Sequence, residues 1–153
     1  MASKFQHAAI FKSRRDMFVT TVVLGTLALL VGLPAYGYLD SGVAPGWPVY
    51  LISGVTTGFM LWLWFDTHYR IDTTYVHYRS GPFRGKIAID TIREVEKGAT
   101  MWSGLRPALA RKGIVVKYNK YDEIYFSPDT NDTFIQALLD VKGDILVIDN
   151  LKH

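Results

Sequence analysis

The sequence contains no cysteine, which excludes disulfide bonds, thiolate zinc sites and a cysteine nucleophile. Charged side chains are absent from two long stretches: 23 residues lie between Asp16 and Asp40, and 25 lie between Asp40 and Asp66. A helix of roughly 20 apolar residues crosses a hydrocarbon core of about 30 Å. Two such helices could not both be buried in a soluble chain of 153 residues. The stretches therefore predict membrane-spanning helices at residues 17–38 and 47–65.

A cleaved signal peptide is the alternative interpretation of the first stretch. Its basic region would include Lys12, Arg14 and Arg15, and Ala35-Tyr36-Gly37 resembles a cleavage site with small residues. The apolar stretch is longer than the roughly 7–15 residues of a signal-peptide core, which favours a spanning helix. The connection at residues 39–46 is rich in glycine and proline, so the two helices are expected to form a hairpin.

Basic residues flank the two stretches, whereas the connection at 39–46 has no Lys or Arg. Positive residues are retained on the cytoplasmic side of a membrane. We therefore expect a basic cytoplasmic tail at 1–16, an external loop at 39–46 and a cytoplasmic domain at 66–153. The protein would be a multi-pass protein of the cell membrane with both termini in the cytoplasm. The flanking basic residues are Lys4, Lys12, Arg14, Arg15, Arg70, Arg79, Arg84 and Lys86.

The part after the second stretch alternates between apolar and polar residues, as expected for short antiparallel strands. Turn signals separate the segments, of which Ser80-Gly81-Pro82 is the strongest. A looser stretch follows Gly98. The predicted strands are 75–79, 86–90, 92–96, 113–118 and 122–126, with a further short strand at 145–148.

The periodicity changes to a helical one after Ser127-Pro128. Phe134, Ile135 and Leu138 recur on one face, and Gly143 ends the predicted helix. An apolar stripe of this kind must be buried against the strands. The sequence therefore predicts an α+β membrane protein: a helical hairpin, then an antiparallel β barrel or sandwich capped by a C-terminal helix through these three residues.

The order of these segments resembles the bacterial pleckstrin-homology-like domains of the YyaB-like type. The resemblance covers about residues 66–140, and its most specific part is a strand ending in Ser127-Pro128 followed by Phe134-Ile135 and Leu138. Members commonly follow a short N-terminal membrane hairpin. The resemblance implies a pleckstrin-homology-like (PH-like) fold and no particular activity, cofactor or ligand.

Catalytic and metal-binding motifs are missing. His7, His68, His77 and His153 have no metal-ligand spacing, and Ser103 lacks a nucleophile-elbow motif. Residues 81–86 lack the spacing of a phosphate loop, and Pro82 removes an amide donor. We therefore expect no catalytic residues, no metal site, no cofactor and no enzymatic activity.

Two binding functions remain after this exclusion. The first is a membrane-tethered interaction or scaffold domain that binds a protein segment, for instance by strand addition. The alternative is a sensor of anionic lipid headgroups, because residues 79–117 carry nine basic and three acidic side chains. Its proposed contacts are Arg79, Arg84, Lys86, Arg111 and Lys112.

The partners follow from the same charge distribution. The basic excess lies largely in the topology-setting tail, so we expect no nucleic-acid partner. Gly54 and Gly58 are spaced as in close helix contacts. Such contacts are expected within the hairpin, with homo-oligomer formation as the alternative.

Overall fold

The computed structural model describes residues 9–99 and 107–150. Ser103, His7 and His153 lie outside the described residues. The looser stretch predicted after Gly98 lies partly outside them. The elements in chain order are β1 (Ala9–Lys12), α1 (Met17–Ser41), α2 (Trp47–Phe65), β2 (His68–Ile71), β3 (Tyr75–Ser80), β4 (Phe83–Ala88), a 3-10 turn (Ile89–Thr91), β5 (Ile92–Ala99), β6 (Gly113–Tyr118), β7 (Asp122–Phe126), α3 (Asn131–Val141) and β8 (Leu146–Asp149).

The helices α1 and α2 form an apolar hairpin. Asp16 caps α1, because its carboxylate accepts the amide of Val19 at 2.7 Å. Helix α1 ends at Ser41, and Gly42 caps it: Gly42 has a φ of 65° and donates its amide N–H to the carbonyl of Tyr38. It thus extends beyond the predicted limit at residue 38, because a charged residue such as Asp40 does not end a helix and a left-handed glycine does.

The hairpin exposes its apolar side chains. Neither helix has a buried residue in the structure described. Both helices are long and apolar enough to cross a membrane by length and composition. An apolar surface of this size is unfavourable in water, so it indicates an association with membrane.

The rest of the chain forms two four-stranded sheets with α3 packed against them. The first sheet has the order β1-β2-β3-β4 and the second β7-β6-β5-β8. The predicted α+β, PH-like fold is confirmed in the form of a sandwich. The barrel alternative is wrong, because the sheets are not closed into one; an isolated bridge between Ser13 and Pro128 joins them at one corner.

Strand β1 lies in the segment expected to be a tail. It pairs antiparallel with β2, from Ala9 opposite Ile71 to Lys12 opposite His68. The sequence analysis missed it because the four residues are too short for a clear alternation beside a long apolar stretch. The hairpin is therefore inserted between two neighbouring strands of one sheet.

Strand β8 was expected at residues 145–148 and forms at Leu146–Asp149. It runs parallel to β5, which is possible because α3 crosses from one end of the sheet to the other between β7 and β8. The remaining strand pairs are antiparallel.

The core lies between the sheets and α3. Phe134, Ile135 and Leu138 are buried in it. The ring of Phe134 contacts those of Phe11, Tyr69 and Phe126, with centroids 5.2–6.1 Å apart. One aromatic side chain of α3 thus contacts strands of both sheets, and this explains how a short helix holds the sandwich together.

Candidate functional site: the basic face of the first sheet

The outward face of the first sheet carries two rows of basic residues. The register aligns Arg70, His77 and Lys86 across β2, β3 and β4, with Ile10 next to Arg70 on β1. Successive residues of a strand point to opposite faces, so residues two apart share a face. The next row on the same face therefore consists of Lys12, His68, Arg79 and Arg84. We call these seven basic residues, without Ile10, the basic face.

A groove of about 530 Å³ lies on this face, lined by six of its residues together with Ile10, Tyr78 and Gly85. Gly85 and Tyr78 lie opposite each other between the two rows and project to the inward side of the sheet. A Cβ atom at Gly85 would collide with the phenol group of Tyr78. The glycine therefore lets Tyr78 lie across β4, which no other residue would permit without moving that ring.

Carboxylates balance part of the basic face. Asp66 pairs with Arg79 at 2.7 Å and lies 3.9 Å from His68. Asp72 contacts His77 at 2.8 Å. Burial acts to raise the pKa of Asp72, but the amides of Tyr75 and Thr74 and the imidazole of His77 outweigh it, so the pKa of Asp72 is lowered. Asp72 is thus held in its charged form.

The other cations of the face are not neutralised. Among residues 9–99 and 107–150, no carboxylate forms an ion pair with Lys12, Arg70, Arg84 or Lys86. The ammonium group of Lys86 lies 4.5 Å from the ring centre of Tyr75, a cation–π contact that leaves its charge in place. Four exposed positive charges on one small surface can attract an anion.

The five predicted lipid contacts fall into two groups. Arg79, Arg84 and Lys86 lie on the basic face, whereas Arg111 and Lys112 lie in the segment before β6. Arg111 contacts the carboxylate of Asp16 at 3.3 Å and lies 4.4 Å from the ring centre of Phe18. Its guanidinium group is thus placed at the start of α1.

Asp16 connects the hairpin to this segment. One carboxylate oxygen caps α1, and the other accepts the amide of Arg111 at 2.8 Å. Burial acts to raise the pKa of Asp16, but the hydrogen bonds from Val19 and Arg111 outweigh it, so the pKa is lowered. The carbonyl oxygens of Arg111 and Lys112 accept further hydrogen bonds from Arg14. These contacts give Arg111 a structural role at the base of the hairpin.

The outward face of the second sheet is different in character. Val115 and Tyr125 are buried there, and Ala99 and Ala108 pack against them. The hydroxyl of Tyr125 accepts the amide of Gly113 at 2.7 Å and donates to the carbonyl of Ala110 at 2.9 Å. The segment before β6 covers this part of the face, and in the neighbouring row Lys117 forms ion pairs with Glu94 and Glu96.

Sequence reasoning did not assign Lys12, His68, Arg70 or His77 to a binding surface. The available signal was the repeated spacing of two between basic residues, at 68 and 70, 77 and 79, and 84 and 86. The contribution of Lys12 depended on β1, which was not predicted. In the described part of the chain, no three His, Asp or Glu side chains are grouped so that they could hold a metal ion.

The PH-like sandwich defines the class of this domain. Residues 67–142 match the family described as "Bacterial PH domain". The segment from the residue before β2 to the residue after α3 is thus similar to bacterial PH domains. The family supports a binding or scaffold role and suggests a non-catalytic domain.

The similarity to a curated relative extends beyond that segment. The chain is 20% identical over 145 residues to the "Uncharacterized protein YyaB" of Bacillus subtilis (strain 168), covering 94% of this chain and 99% of the relative. Among solved structures, the C-terminal domain of an unknown protein from Leishmania infantum is similar, at 16% identity and a TM-score of 0.38. That match covers 49% of this chain and 66% of the other.

Proposed function

We propose that this protein is a membrane-tethered, non-catalytic binding module whose basic face binds anionic lipid headgroups at the cytoplasmic leaflet. The observation that carries the proposal is the set of exposed cations on the first sheet that form no ion pair within residues 9–99 and 107–150, next to the end of α2. Each cation near an anionic leaflet contributes about 1 kcal/mol. Four such residues acting together would favour contact with anionic over neutral lipid.

Short connections to the hairpin support this placement. Only Asp66 and Thr67 separate α2 from β2, because α2 ends at Phe65 and β2 begins at His68. The row containing Lys12, His68, Arg79 and Arg84 is therefore the row nearest the hairpin. A row this close to a membrane-spanning hairpin would lie within a Debye length, roughly 8 Å at physiological salt, of the leaflet.

The pairing of β1 with β2 also supports one part of the proposed topology. Because β1 precedes α1 and β2 follows α2, the two ends of the hairpin lie on the same side of any membrane it crosses. Cleavage after the first stretch would remove β1 from the sheet. We propose that this side is the cytoplasm, because Lys and Arg flank both ends and are absent from the connection.

Lipid preference gives the main test. The full chain in neutral detergent is mixed with equal amounts of phosphatidylglycerol and phosphatidylcholine, and native mass spectrometry measures the lipid retained. We expect a preference for phosphatidylglycerol that Arg84→Ala lowers by roughly five-fold, the equivalent of about 1 kcal/mol. Lys120→Ala removes the same charge from the turn between β6 and β7 and should leave the preference unchanged.

Equal retention of the two lipids by the unmodified chain would refute the lipid function. Equal effects of Arg84→Ala and Lys120→Ala would show that net charge, and not the basic face, determines the preference. The full chain is required here, because a fragment starting at residue 67 lacks β1 and with it Lys12.

Reporter fusions test the proposed orientation. A reporter inserted at Gly42 should give an external signal, and one fused after residue 153 should give a cytoplasmic signal. An external signal from the second fusion would overturn the orientation without affecting the fold.

Binding of a protein segment by strand addition is the second candidate function. It is favoured by β8, an edge strand whose Leu146, Val147 and Ile148 are all exposed. A Leu146→Lys variant that loses a co-purifying protein, while Lys120→Ala retains it, would support this function. The same set of co-purified proteins in both variants would count against it.

A further inference from the structure

Phe83 is an exposed aromatic residue at the start of β4. Its side chain is 56% exposed, although it lies directly opposite the buried Ser80 in the sheet. Directly opposite residues share a face, so Phe83 continues the inward, apolar face of the first sheet beyond its covered part. No protein element in the described residues covers this ring.

The turn between β3 and β4 is attached to the last turn of α2. Thr67 donates its hydroxyl to the carbonyl of Leu63 at 2.7 Å and lies 2.9 Å from the hydroxyl of Ser80. Because the proton of Thr67 is used on Leu63, Ser80 is the donor in the second bond. A two-step chain of hydrogen bonds therefore joins the end of β3 to α2.

A second set of contacts runs beside the first. Asp66 accepts from the indole of Trp62 at 3.1 Å and from Arg79 at 2.7 Å. In the turn itself, Gly81 is buried and has a φ of 56°. A Cβ atom at Gly81 would lie 3.0 Å from the Leu63 side chain. The turn therefore lies against α2 at the level of Leu63.

Leu63 is two residues before the end of α2, which corresponds to about 3 Å along the helix axis. The hydrogen bonds and the close approach of Gly81 hold the turn at this level. We propose that the turn places Phe83 in the interfacial region of the cytoplasmic leaflet, beside the end of α2. This inference rests on the proposed crossing of the membrane by the hairpin.

The occupant of this surface is the lipid bilayer itself. The turn that carries Phe83 approaches α2 at Leu63, and α2 has no buried residue, so the exposed ring lies beside an uncovered apolar helix. Arg84 follows Phe83 and is exposed, which suits a position among phosphate groups above the ring. The surface is thus continuous with the apolar surface of α2.

The absence of cysteine from the chain permits a direct measurement. A single cysteine is introduced by Phe83→Cys, Tyr121→Cys or Leu29→Cys and labelled with a polarity-sensitive fluorophore. The full chain is placed in nanodiscs of neutral phosphatidylcholine. Quenching by a nitroxide on the lipid acyl chain is compared with quenching by aqueous iodide. Tyr121 is 84% exposed in the turn between β6 and β7 and serves as the aqueous control.

We expect labels at 29 and 83 to be quenched by the nitroxide lipid and shielded from iodide, with the opposite result at 121. A label at 83 that behaves like the one at 121, while 29 is quenched by lipid, would overturn this inference and leave the membrane hairpin intact. If iodide quenches the label at 29 and the nitroxide lipid does not, both the membrane hairpin and this inference are overturned. Neutral lipid keeps the test independent of anionic-lipid binding.

A charged substitution provides a second measurement that does not replace the ring by a label. In the Leu29→Cys background, Phe83→Asp should leave the quenching at 29 unchanged. A label at Pro82, introduced as Pro82→Cys, should gain access to iodide when Phe83→Asp is present, because a carboxylate is excluded from the interface. Unchanged iodide access at 82 would contradict insertion of this turn.

Discussion

The two sheets have similar architecture but different outward faces. Each contains four strands, and each includes one strand outside the family match at 67–142: β1 in the first sheet and β8 in the second. The first sheet exposes the basic face, whereas the second buries Val115 and Tyr125 under the segment before β6. The comparison teaches that one face is largely covered and contributes to stability, whereas the other is exposed.

The largest effect should come from the helix that packs on both sheets. Phe134→Ala removes a fully buried ring in contact with three other aromatic rings. We expect a loss of about 3–5 kcal/mol, measured as a lower urea midpoint for the full chain in mild detergent. Gln136→Ala, on the exposed side of α3, is the control. Equal midpoints for the two variants would mean that α3 does not hold the sheets together.

The next largest effect concerns the first sheet alone. Phe11 of β1 packs edge-on against Phe134, whereas its neighbour Ile10 is 68% exposed on the other face. Phe11→Ala should cost about 1–3 kcal/mol, less than a fully buried ring. Ile10→Ala should cost little. If the two variants unfold at the same urea concentration, β1 is not part of the folded domain.

The covered face of the second sheet depends on one hydroxyl. Tyr125→Phe leaves the buried amide of Gly113 and carbonyl of Ala110 without their partner. A cost of about 1–3 kcal/mol is expected from such groups. Tyr121→Phe changes an exposed residue and controls for the substitution. A silent Tyr125→Phe would show that another group, or water, satisfies both atoms.

A smaller effect is expected at the joint between the hairpin and the second sheet. The pKa of Asp16 is lowered in the folded state, so its contribution to stability is present above its unfolded pKa of about 3.9 and is lost as the pH falls through the folded value. Asp16→Asn keeps a capping side chain but loses the charge. Its urea midpoint should therefore fall less than that of the unmodified protein between about pH 5 and pH 2.

Arg111→Ala separates the two roles of Asp16. This variant keeps the cap of α1 and removes the charged partner. The urea midpoint of Arg111→Ala should therefore depend on pH less than that of the unmodified protein. It should still depend on pH more than that of Asp16→Asn, because the backbone amides that bind Asp16 remain. Identical pH profiles for the unmodified chain and both variants would contradict a role for Asp16 in acid stability.

The smallest effect on stability should come from the basic face. Arg70→Ala and Arg84→Ala remove exposed side chains without ion pairs in the described structure. The free energy of unfolding, measured with urea, should therefore change by less than about 0.5 kcal/mol. Their lipid preference should nevertheless fall. If Arg70→Ala or Arg84→Ala lowered the urea midpoint as much as Tyr125→Phe, the outward faces of the two sheets would not differ in their contribution to stability.

Much of the fold could be predicted from local patterns. The second apolar helix was predicted at its observed bounds, and β3, β5, β6, β7 and α3 were recognised because each has a clear periodicity bounded by turn residues. Strand β4 was predicted at 86–90 but forms at Phe83–Ala88, and the end of the predicted strand lies in the 3-10 turn. Strand β1 and the parallel position of β8 could not be predicted, because strand pairing depends on which edges are open after the sheets have formed. The candidate site was only partly predicted for the same reason: Arg79, Arg84 and Lys86 were recognised as basic residues, but their neighbours Lys12, Arg70 and His77 are defined by register.

The sequence by itself determined the apolar hairpin, the absence of cysteine chemistry and the PH-like succession of strands and helix, because composition and periodicity are local properties. Only the tertiary structure decided that the hairpin is inserted between paired strands, that Arg111 lies beside Asp16, and that basic residues from four strands meet on one face. These features depend on contacts between residues far apart in the chain. Arg70 and Lys86 are sixteen positions apart, yet they occupy one cross-strand row because backbone hydrogen bonds set the register.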